Sequence, residues 1–118
     1  MTHRKKATKF ATVLKLAGRA RLTQFLRTLH SEPNILACGL INAQLNQGES
    51  LEEIFRRDSS QGFPSGYYLS AEQVEEDDFL ITFGYCAGGA AGDGGEWRIK
   101  FASDDSVQHC TKESEHIH

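Results

Sequence analysis

The hydrophobic period changes partway along this chain, and that change limits the folds open to it. Between Phe10 and Phe55 apolar residues recur every three or four positions, the spacing of one helix face. From Phe79 onward they alternate, as along one face of a strand: Phe79, Ile81, Phe83 and Tyr85, then Trp97, Ile99 and Phe101. Helices first and an antiparallel meander afterwards make an α+β domain, with the helices packed on one sheet face.

Phe10, Val13, Leu14 and Ala17 share one helical face, as do Leu22, Phe25, Leu26 and Leu29. The two sets point about a quarter turn apart, with Gly18 between them, so the spacing predicts helix over about 10–30 with a kink or break at the glycine. Ser31 and Pro33 suit the first turn of a second helix over about 33–47, apolar nearly all round and therefore expected to be the most buried, with Gly48 as its left-handed end. Ser50 and Glu53 form a capping box that opens a third helix over about 50–57. Gln61–Gly66 is a loop by its Gly and Pro content. Strands are predicted at about 67–69, 79–86, 96–102 and 106–112. Ser70 and Gln73 suggest a second capping box and a single helical turn leading into the acidic run Glu75–Asp78, which is expected to be a solvated face.

Six of the eleven glycines fall between Gly84 and Gly95. This density lacks the lysine and the following helix that a phosphate-binding loop needs. Asp93-Gly94 is a favoured two-residue hairpin turn, but it would pair Gly92 with Gly95 and set Trp97, Ile99 and Phe101 on the face opposite Phe83 and Tyr85. Agreement between the aromatic faces requires a bulge near Gly88-Gly89 or a longer loop over 87–95, and the longer loop is expected. Such a loop is expected to be plainly mobile, the alternative being a gate or a recognition tip formed with Tyr85, Asp93 and Trp97.

Charge is divided along the chain. Residues 1–31 carry Arg4, Lys5, Lys6, Lys9, Lys15, Arg19, Arg21 and Arg27 with no acid, and the remaining 87 residues carry all sixteen acidic side chains. Residues 1–9 are expected to be a mobile basic arm and 10–118 a single domain. Arg4, Lys5, Lys6, Lys9, Lys15, Arg19 and Arg21 are the candidate contacts for a partner protein or nucleic acid. The apolar runs are too short for a membrane span, and a membrane partner is not expected. Cys38, Cys86 and Cys110, an odd number without close pairing, suit reduced thiols and a cytoplasmic setting, although an acid-free, Arg-containing start also fits an organelle transit peptide.

No catalytic constellation stands out. Cys86, beside the glycines, is the one thiol worth testing as a nucleophile. His109, Cys110, His116 and His118 are metal-capable but match no ligand spacing, so neither metal nor cofactor is expected. The sequence thus favours a small, non-catalytic interaction module that binds a protein or itself through a charge-polarised surface. The alternatives are a nucleic-acid-binding accessory factor using the basic arm and first helix, and a small enzyme or ligand carrier with a site beside the Gly-rich stretch 84–95.

Overall fold

The computed structural model describes residues 5–56, 65–87 and 91–117. A short strand β1 (Lys5–Ala7) leads into helices α1 (Phe10–Ala17) and α2 (Arg19–Thr28), a 3-10 turn (Leu29–Ser31), and helices α3 (Leu36–Asn46) and α4 (Leu51–Ile54). Four long strands follow: β2 (Gly66–Glu75), β3 (Asp78–Ala87), β4 (Ala91–Phe101) and β5 (Val107–Ile117). All pairings are antiparallel, in the order β1-β2-β3-β4-β5. The helices cover one face, which makes this an α+β domain as the change of period predicts. On β2, β3 and β4 the side chains of Tyr67, Leu69, Phe79, Ile81, Phe83, Trp97, Ile99 and Phe101 meet Val13, Leu22, Phe25, Leu26, Ile41 and Phe55 in one core. None of the described helices is long and apolar enough to cross a membrane.

The helical stretch over 10–30 is broken where the quarter-turn offset requires it. Gly18 takes φ 91°, a left-handed value that a side chain resists, and the chain changes direction between α1 and α2. The second helix begins later than Ser31 and Pro33 imply. The chain first tightens into the 3-10 turn, and the Ser31 hydroxyl donates to the Thr28 carbonyl instead of capping α3. Gly48 ends α3 with φ 83°, as expected. Ser50 Oγ accepts from the Glu53 amide at 3.2 Å, the first half of the expected capping box, but the Glu53 carboxylate accepts from the Ser50 hydroxyl at 3.0 Å, and α4 stops at Ile54. Arg57 and the expected Gln61–Pro64 loop lie outside the described residues.

The strands are longer than the sequence suggests. Ser70–Gln73 forms no helical turn: β2 runs unbroken from Gly66 to Glu75, with Leu69 and Ala71 in the core and β1 and β3 pairing on either side. Ladder bonds on both edges outweigh a local capping signal. Glu76 and Asp77 are the two residues of the β2–β3 hairpin turn, so the acidic run is a turn and its flanks. Lys5–Ala7, expected within an arm, pair with Gln73, Glu72 and Ala71.

The aromatic faces of β3 and β4 do agree, because Phe83 pairs with Gly95 and Tyr85 with Asp93. The loop expected over 87–95 is corrected by the same register: Asp93-Gly94 is strand, β4 begins at Ala91, and Gly88, Gly89 and Ala90 lie outside the described residues. Side chains explain the glycines of the pair. Tyr68 lies flat on the outer sheet face across Gly84 and Gly94, where a Cβ on either glycine would overlap its phenol. On the core face a Cβ at Gly95 would stand 2.9 Å from the Trp97 ring.

Candidate functional site

Three of the cations proposed as contacts are held by carboxylates from the later part of the chain. Arg21 places Nε 2.7 Å from Asp105 and Nη2 2.8 Å from Asp77, and its guanidinium lies 5.1 Å over the Phe101 ring. It ties the β2–β3 and β4–β5 turns to α2 and is a structural staple rather than a free contact. Arg19 grips Glu52 with both guanidinium nitrogens, one at 2.9 Å, and holds that carboxyl below its ordinary titration range. Lys6 is 3.6 Å from Glu72. Folding thus interleaves much of the charge that is separated along the chain. Lys5, Lys9 and Lys15 are exposed, and among the described residues no ion pair joins them to a carboxylate; Arg4 lies outside that set.

Tyr85, Asp93 and Trp97 do not form a tip. Trp97 is 2% exposed and meets Phe25 edge to face at 5.8 Å. Tyr85 is half-buried with its ring edge-on to Tyr67 at 5.1 Å. Asp93 supplies the N-terminal cap that Ser31 does not: its carboxylate accepts from the Leu36 amide at 2.6 Å and the Ala37 amide at 3.0 Å. The negative group sits where the free amides and the helix dipole favour it, and it fixes α3 against β4.

His109, Cys110 and His116 are spread along β5, opposite Lys100, Ile99 and Gly94, and His118 is outside the described residues. Among the described residues, no three His, Cys, Asp or Glu side chains come close enough to hold a metal ion. Burial pushes the Cys38 thiol up to about 12, helped by Glu32 and Asp93, and burial likewise raises that of Cys110. Neither is poised as a thiolate. Cys86 is half-buried on the outer sheet face.

The most unusual surface lies on α3. The helix LACGLINAQLN contains no charged residue, and it buries Ala37, Cys38, Ile41 and Leu45 against the sheet and α2. Asn42, half-buried, donates to the Leu26 and Cys38 carbonyls. The opposite face carries Leu36, Gly39, Leu40 and Ala43, all exposed. Leu36 is 60% and Leu40 37% exposed, the two large hydrophobic side chains left in water among the described residues. They are one helical turn apart, about 6 Å. Each also borders a hollow.

At Leu36 a hollow of about 320 Å³ is walled by Asn34, Gly92, Asp93, Gly94 and His116. At Leu40 another, about 340 Å³, is walled by Gln44, Glu49, Glu53, Tyr67 and Tyr85. The Tyr67 hydroxyl donates to the Gln44 side-chain carbonyl, and burial lifts its pKa well above the ordinary tyrosine value. The result is an apolar ridge with a depression at either end. A signal for it exists in the sequence, since an uncharged helix that is apolar all round has more apolar surface than a single supporting sheet can cover. Compared with known proteins, the chain matches no family model, no curated protein and no solved structure.

Proposed function

We propose that this protein is a small, non-catalytic interaction module that binds a second copy of itself through the outward face of α3. The carrying observation is the exposure of Leu36 and Leu40 side by side on a helix without charge. Exposed leucines in water cost free energy that burial recovers, about 25 cal/mol per Å² of apolar surface. A ridge with a hollow at either end supports this reading: about a two-fold axis, the leucines of one copy would enter the depressions of the other, and α3 itself brings no charges to oppose each other. Gly39 supports the same reading. A glycine in mid-helix costs roughly 0.5–1 kcal/mol relative to alanine, and, beyond its own helix turn, no atom of the described residues lies within 4 Å of where its Cβ would stand, so packing among those residues gives it no role. It does permit close approach of another helix.

The setting that supports this function is cytoplasmic. Cys38, Cys86 and Cys110 are all free thiols, which suits a reducing compartment.

Sedimentation velocity over a concentration series is the test. The wild-type mass is expected to rise toward twice the monomer with concentration, and Leu36→Glu with Leu40→Glu to stay monomeric while keeping the wild-type circular dichroism spectrum. A wild-type protein that remains monomeric at every concentration would end this reading.

A further inference from the structure

We draw no further inference here: the strongest candidate, the cavity of about 340 Å³ at the Leu40 end of α3, walled by Glu49, Glu53, Tyr67 and Tyr85, belongs to the site already described.

Discussion

Two glycines of this protein predict opposite outcomes for the same substitution. At Gly94 a Cβ would overlap the Tyr68 phenol and come within 2.6 Å of the Gly84 Cα, where backbone cannot give way. Gly94→Ala should therefore destabilise the fold by about 1–3 kcal/mol, read as a lower urea midpoint. At Gly39 the space is open, and Gly39→Ala should raise the stability of the monomer by roughly 0.5–1 kcal/mol in the same measurement, while weakening self-association in the centrifuge. The density of glycine between 84 and 95 is visible in the sequence; its purpose is not. That purpose depends on Tyr68, sixteen residues before Gly84, lying across two strands whose register only the folded sheet establishes.

Among elements, α3 shows how a helix can depend on a distant part of the chain. No residue at its own N-terminus caps it with a side chain, and the carboxylate of Asp93, fifty-six residues beyond Ala37, takes that role. Asp93→Ala should cost about 1–2 kcal/mol, seen by thermal unfolding, and loosen the Leu36 end of the ridge first. Local rules work well where the partner is local: the Ser50 cap and Gly18 behave as their sequence context predicts. They fail at Ser70–Gln73, where a valid capping pattern lies on a strand with neighbours on both sides, and at Ser31, whose hydroxyl turns back to Thr28. The apolar character of α3 is equally plain in the sequence, but which part of it stays in water depends on how the sheet beneath is shaped and where it ends.

For the whole molecule, carboxylates held by guanidinium groups and by a serine set an acid limit on stability. The two guanidinium contacts from Arg98, at 2.6 and 2.8 Å, hold the Asp78 carboxyl below its ordinary value; Arg19 does the same for Glu52, and the Ser106 hydroxyl and amide for Asp104. Depressed folded-state values mean that the unfolded chain takes up protons first as the solution is acidified. The stability these groups contribute is thus complete above about pH 5 and lost progressively as the pH falls below it. Urea midpoints measured down through that range should decline, and Arg98→Met should flatten the decline by returning Asp78 toward its unfolded value. An unchanged profile in that variant would remove Asp78 from the account.

What the sequence determined by itself is the class of fold and the order of its parts, because the helix period, the strand period and the breaks at Gly18 and Gly48 are carried by neighbouring residues. What only the tertiary structure decided is which of those residues meet. Asp93 became a helix cap, Trp97 a core residue and Arg21 a staple, while Leu36, Leu40, Lys5 and Lys15 were left facing solvent. The physical reason is that a side chain's burial and partners are set by strand register and by how far a covering layer extends, and both arise from contacts between distant segments.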